Sequence, residues 1–313
     1  RWPQLFNAMT NRRDDIPDFY ASAQKTLQTL GHDGAAAYLD APRKFDLAPT
    51  LRAGGAIMFG HLEVSVMGPH YAEAVHACMQ SGAKLVLGVG VLHALTQDLQ
   101  DARVRVAAGA DPTHEPSWGI QGPGLDESTS KTNWHREFSM LAFSYFFEVE
   151  AKRRRERHQP TPELIVRYPY LAGGRPHLLP GIAELREMVK GGAVVVGTAD
   201  PFHHGLAYGD PAETALPADE RGLALCRKIV QNGFDMLGAG DYWGFNQHCV
   251  QAKSDGREMG QVVRYILGKP LAATIHDIAW DDMSGPYGKP SPSWVAGCLI
   301  TLTPREPRES DLH

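Results

Sequence analysis

Cysteine is scarce in this 313-residue chain. The four present, Cys78, Cys226, Cys249 and Cys298, are scattered and form no CxxC pair. Neither a disulfide framework nor a closely spaced thiolate metal site is indicated, and a chain of this length can bury a core without such staples. Long apolar runs are also missing. Stretches such as 85–92 and 193–197 fall well short of the roughly 20 residues that span a bilayer. The N-terminal Arg1-Trp2-Pro3-Gln4 has no signal-peptide core, so the expectation is a cytoplasmic protein without a membrane partner. Nor is positive charge in excess: 31 Lys+Arg face 36 Asp+Glu, a net charge of −5. The basic run at 152–157 lies at the end of a predicted helix, where the macrodipole favours cations. Nucleic acid is therefore not expected as a partner, and a small molecule is. A 43% hydrophobic and 21% charged composition excludes a disordered chain.

What is present is alternation. From Arg52 onward, short apolar runs ending in Gly or His are each followed by residues at helical spacing, the pattern of a mostly parallel α/β sheet flanked by helices. Strands are predicted at 55–59, 84–91, 163–168 and 193–199, with helices at 70–80, 134–157, 180–189, 219–232 and 256–267. A closing antiparallel pair is expected at 272–280 and 294–302. An amphipathic helix over 14–30, with Phe19, Ala23, Leu27 and Leu30 on one face, predicts an appended helical arm covering 1–50. The domain proper then covers 51–304, and the charged 305–313 forms a flexible tail. Residues 105–133 are polar with a Gly/Pro-rich centre, too long for a plain connector, and read as a loop over a site. Gly88-Val89-Gly90 lacks the third glycine of a dinucleotide fingerprint.

In parallel α/β sheets ligands bind beyond the carboxyl ends of strands. Three histidine positions meet that condition: His61 after 56–60, His93 after 85–92, and His203 with His204 after 194–200. One such histidine is more often a hydrogen-bonded loop residue than a ligand, but three in one register converge on one rim. Two imidazoles and one carboxylate form the arrangement that holds non-haem Fe(II) with positions left open. The carboxylate candidates are Glu63, Asp200, Asp210, Asp255 and Glu258, with His248 a further rival for the third ligand. Asp255 and Glu258 also fit an N-cap and capping box. A histidine outside the metal set, such as His203, would be free to move protons near neutrality. Trp118, Tyr242, Trp243 and Phe245 are candidates to line an aromatic-substrate pocket, although aromatics more often form plain core.

Taken in order, Gly60-His61, His93, the run Gly197-Thr198-Ala199-Asp200-Pro201-Phe202-His203-His204-Gly205, Asp255-Gly256-Arg257, and Ser293-Trp294-Val295-Ala296-Gly297 carry a resemblance. Over roughly 52–303 the chain resembles the Memo family and its relatives, the class III (LigB-type) extradiol dioxygenases. The resemblance implies a rim site in which His61 and His93 bind the metal. Asp255 stands where Memo proteins carry a cysteine followed by glycine, His203 at the extradiol acid/base histidine, and Asp200 at the aspartate preceding it in Memo proteins. An oxygen ligand favours iron, with copper, zinc or manganese as alternatives. Leu62-Glu63 stands where Memo proteins usually have Gly-Tyr after the first histidine, which points to a different substrate side. The expectation is a non-haem Fe(II) dioxygenase using O2 to cleave a catechol-like or aminophenol-like small molecule, in a homo-oligomer. A Memo-like metal-binding or redox protein and a metal-dependent hydrolase are the alternatives.

Overall fold

In the computed structural model the residues described are 19–94, 96–115, 117–125 and 133–308. Residues 1–18 of the expected arm, 126–132 of the polar stretch and 309–313 of the expected tail lie outside them.

The elements run α1 (Phe19–Asp40), α2 (Ala48–Arg52), β1 (Ala56–Phe59), α3 (Val64–Gln80), β2 (Leu85–Val89), α4 (Gln97–Ala107), β3 (Gly119–Gln121), α5 (Leu141–Glu156), β4 (Glu163–Tyr170), α6 (Ile182–Lys190), β5 (Val194–Thr198), β6 (Phe202–Gly205), α7 (Glu220–Ala239), α8 (Tyr242–Ala252), α9 (Arg257–Leu267), β7 (Leu271–Asp282), α10 (Ser284–Tyr287) and β8 (Ser293–Pro304). Among the described residues no helix is long and apolar enough to cross a membrane.

The sheet is mixed. Its centre, β4-β2-β5-β1, is parallel, β3 is antiparallel to β4, and β8 is antiparallel to β1, β6 and β7. The expectation of a mostly parallel sheet thus holds for its centre, and antiparallel pairing takes over at both ends. β8 pairs with β7 along its length and with two strands in succession on its other edge: β1 opposite 300–302, then β6 opposite 293–296.

Side chains alternate through the sheet, as a period of two requires. Ile57, Phe59, Val86 and Val196 join a core beneath α1, α3 and α5, while Met58, Leu87 and Val195 join one beneath α6 to α9. The central strands are buried on both faces, which is why they read as continuous Val/Ile/Leu runs.

Several expectations needed revision. α1 does not stop near Leu30. It continues to Asp40 through a kink at Gly31 (φ 63°, ψ 179°), a conformation glycine adopts readily, and buries Leu27, Ala35 and Leu39 against α3 and α5. The part of the predicted arm that is described is therefore packed into the domain. α3 starts at Val64 and carries Pro69 inside it, so Gly68-Pro69 is not a helix start. The helix predicted over 134–157 is broken: a 3-10 turn (Asn133–Arg136) is followed by four non-helical residues before α5. Glu137 causes the break by turning its carboxylate back onto the N–H groups of Phe138 and Ser139, both at 2.8 Å. The stretch read as a loop also contains β3, and Arg305 donates its N–H to Pro270.

Candidate metal centre

β1, β2 and β5 end side by side, and the chain leaving each delivers one functional group to the same place. His61 follows β1, His93 lies four residues beyond β2, and Asp200 lies two beyond β5. Asp255 comes from the turn between α8 and α9. Among the described residues His61, His93 and Asp255 are the one group of His, Cys, Asp or Glu whose ligand atoms all lie within 4.8 Å of one another. His61 Nε2 is 3.0 Å and His93 Nε2 3.6 Å from the same oxygen, Asp255 Oδ2, and the two rings stand edge to face.

The outward nitrogens fix the tautomers. Thr198 Oγ1 donates to the Phe59 carbonyl at 3.0 Å, so it must accept from His61 Nδ1, also at 3.0 Å. Glu137 accepts from His93 Nδ1 at 2.9 Å. Both Nδ1 atoms therefore carry protons, and in the neutral rings both Nε2 lone pairs face Asp255. A hydrogen bond from the far ring nitrogen to a hydroxyl or carboxylate is how proteins orient metal-binding histidines. Thr198 and Glu137 were not named from the sequence. A threonine closing a valine run and a glutamate inside a long apolar-periodic stretch were the only local signals.

The carboxylates are equally constrained. Asp200 Oδ1 accepts the His61 N–H at 2.9 Å, and Asp255 Oδ1 accepts the Asp200 N–H at 2.8 Å. Asp255 therefore does not cap α9: Gly256 is the cap residue, and Glu258 pairs with Arg103 and Arg257. Burial opposes charge on Asp255, yet the adjacent His61 and His93 hold its carboxyl well below the usual range. Asp200 is pushed up to about 6 by burial and by Asp255 beside it. Burial disfavours the charged form of His93, but Glu137 and Asp255 outweigh it and raise the imidazole to about 10. His203 goes the other way, down to about 4, because burial and the positive His61 and His93 exceed the pull of Asp255.

The residues around this centre sort clearly. His61, His93, Asp200, His203 and Asp255 all border one pocket of about 670 Å³. Glu63 lies at its exposed edge, where Thr26 reaches it at 3.4 Å. His204 is structural, joined to Asp210 through Nδ1 and to the Leu216 N–H through Nε2. His248 donates to the Ile229 carbonyl. His203 sits on β6 itself rather than in a loop after β5. None of Trp118, Tyr242, Trp243 and Phe245 borders the pocket. Its aromatic walls are Phe19, Tyr71, Phe138, Tyr208 and Tyr287, with Phe138 stacked on His93 at 4.6 Å and Phe19 on Phe138 at 5.6 Å.

The donor set fits a divalent cation: two imidazole lone pairs and one ionised oxygen, each held by a hydrogen bond from behind, open onto a pocket. Two effects of opposite sign follow with pH. In metal-free protein the raised His93 pKa stabilises the fold fully below its ordinary value near 6.5, and this contribution disappears as pH rises through about 10. Metal must displace that proton, so affinity rises over the same range. Thermal melts of metal-free protein should therefore fall from pH 6.5 to 10 while chelator competition shows tighter binding. Replacing Thr198 by Val should weaken metal binding about tenfold in the same competition, because His61 loses the acceptor that fixes its tautomer.

Compared with models of known families and with curated proteins, the chain matches none.

Proposed function

We propose that this protein is a non-haem Fe(II) dioxygenase of the extradiol type, acting on a catechol-like or aminophenol-like small molecule. The observation that supports this reading is the convergence of His61 Nε2, His93 Nε2 and Asp255 Oδ2 on an aromatic-walled pocket that also holds a neutral histidine, His203. The resemblance to the Memo family and the class III extradiol enzymes points the same way. Iron(II) bound by the three residues would supply a Lewis acid for vicinal substrate oxygens and a neighbouring position for O2.

The chain's own groups do the rest. His203, neutral at neutral pH, receives the proton of a substrate hydroxyl and can return it to product. Asp200 holds the His61 backbone in place through its N–H. Phe19 and Phe138 line the pocket with apolar rings that keep water from it.

Elemental analysis after anaerobic Fe(II) loading tests the reading. About one iron per chain is expected in wild type and in His203→Ala, with loss of the metal in His61→Ala and His93→Ala. O2 uptake with catechols or aminophenols should be present in wild type and absent in His203→Ala. Iron binding without O2 uptake would favour a metal-binding protein without turnover, and hydrolysis under anaerobic conditions a metal-dependent hydrolase. Binding indifferent to both histidines would overturn the site.

A further inference from the structure

Buried polar atoms without a hydrogen-bond partner are costly, and a native fold keeps few of them. Among the described residues nine side chains carry one, and only two of these, His203 and Tyr208, border the metal-site pocket. Tyr208 is 3% exposed. The Tyr287 phenol is the polar side chain it faces, with the rings 5.7 Å apart and edge on, but no hydrogen-bond geometry joins the two hydroxyls.

The chain is shaped to hold that tyrosine over His203. Between His203 and Tyr208 it reverses at Gly205 (φ 105°), where a Cβ would meet the Pro292 carbonyl at 2.1 Å. A single 3-10 turn then carries Tyr208 back over His203, with ring centroids 5.1 Å apart, and Gly209 (φ 80°) lets the chain leave. Asp210 pins the reversal from beneath: it accepts the Gly205 N–H at 2.7 Å and pairs with both His204 and Lys253. This loop thus spends two positive-φ glycines and a half-buried Asp210–Lys253–His204 cluster on a phenol whose oxygen has the Tyr287 hydroxyl near it but no well-formed hydrogen bond.

Resting on the dioxygenase reading above, we infer that Tyr208 is a substrate-positioning residue whose hydroxyl hydrogen-bonds a phenolic oxygen of an aromatic diol or aminophenol held beside His203. The bound ring supplies the missing partner and brings its hydroxyl to the imidazole that takes the proton. A tyrosine placed only for packing would use its ring alone, and phenylalanine would serve equally well. The hydroxyl is the part that needs a ligand.

The probe is 4-nitrocatechol, followed by its visible absorption as it titrates Fe(II)-loaded protein under nitrogen, in wild type and Tyr208→Phe. Iron content should be equal in the two proteins. Because the hydroxyl has no partner in the free protein, the melting temperature of Tyr208→Phe without probe should match or exceed that of wild type. Its affinity for the probe should be at least tenfold weaker. Equal affinity in the two proteins would overturn the inference while leaving the dioxygenase reading intact, and so would a lowered melting temperature with unchanged affinity, which would make the hydroxyl structural. Failure of wild type itself to bind the probe would remove the catechol reading and this inference with it.

Discussion

Metal affinity should fall about 10- to 100-fold when Glu137 is replaced by Gln, although Glu137 touches no metal ligand atom. Its carboxylate is fully enclosed and accepts four hydrogen bonds: the His93 N–H at 2.7 Å, His93 Nδ1–H at 2.9 Å, and the N–H groups of Phe138 and Ser139 at 2.8 Å. Burial raises its pKa, but the His93 charge and these donors bring it below the usual carboxylate value, so it is ionised and acts only as an acceptor. Glutamine keeps the shape and replaces one acceptor oxygen by an NH2 that must face a donor. With its oxygen left facing Nδ1 and the two N–H groups, the amide sets its NH2 against the His93 backbone N–H and offers Nδ1–H a neutral, weaker acceptor, so both the placement and the basicity of the His93 ring suffer. Glu137→Ala should go further, because several buried N–H groups lose their acceptor at about 1–3 kcal/mol each. Chelator competition and thermal melts separate the two effects. Wild-type affinity in Glu137→Gln would show that the charge of Glu137 and its bond to the His93 N–H do not matter to the site.

Gly60→Ala should damage the fold and the candidate site together. A Cβ at position 60 would lie 2.5 Å from the Gly297 Cα, 2.7 Å from Met67 Sδ and 2.8 Å from Asp200 Oδ1. The first of these is backbone of the neighbouring strand and cannot swing aside, so overpacking should cost about 3 kcal/mol or more. For a chain of this size that is a fall in melting temperature of roughly 6 °C or more. The third contact ties the loss to function, since Asp200 Oδ1 holds the His61 N–H. Displacing it moves the first metal ligand, so metal content should fall along with stability. An alanine variant that melts like wild type and keeps its metal would mean that β1 and β8 can separate freely at this point.

His61, His93 and His203 were legible because apolar runs end just before them, and the central strands are buried on both faces. Asp255 was one carboxylate among five on spacing alone, and only the serial order of motifs favoured it. Glu137 was hidden by its own action. Residues 134–157 have helical periodicity, and the break is made by a side chain whose main partner, His93, is 44 positions away. β3 and β6 escaped notice because strands of three and four residues leave too little alternation to detect, and their pairing with β4 and β8 depends on register rather than on local preference. The pocket's aromatic walls came from α1, α3, the α5 approach, the turn after β6 and the β7–β8 connection, elements distant in sequence whose convergence no local pattern records.

β8 behaves as a ruler. Its other edge carries β1 and then β6, so Met58 is measured against Ile300 and His203 against Val295 on the same backbone. The spacing between the segment that delivers His61 and the one that holds His203 is therefore counted in residues of a third strand that contributes no ligand. Adding or removing one residue between Val295 and Ile300 would step the two segments apart by about 3.4 Å and turn His203 to the opposite face of the sheet. The connection at 283–292 sets no spacing between those two segments; it acts on the site through Tyr287 and Pro292 instead. A change of chain length within β8 is thus felt at the site through the register of strands that never pair with each other.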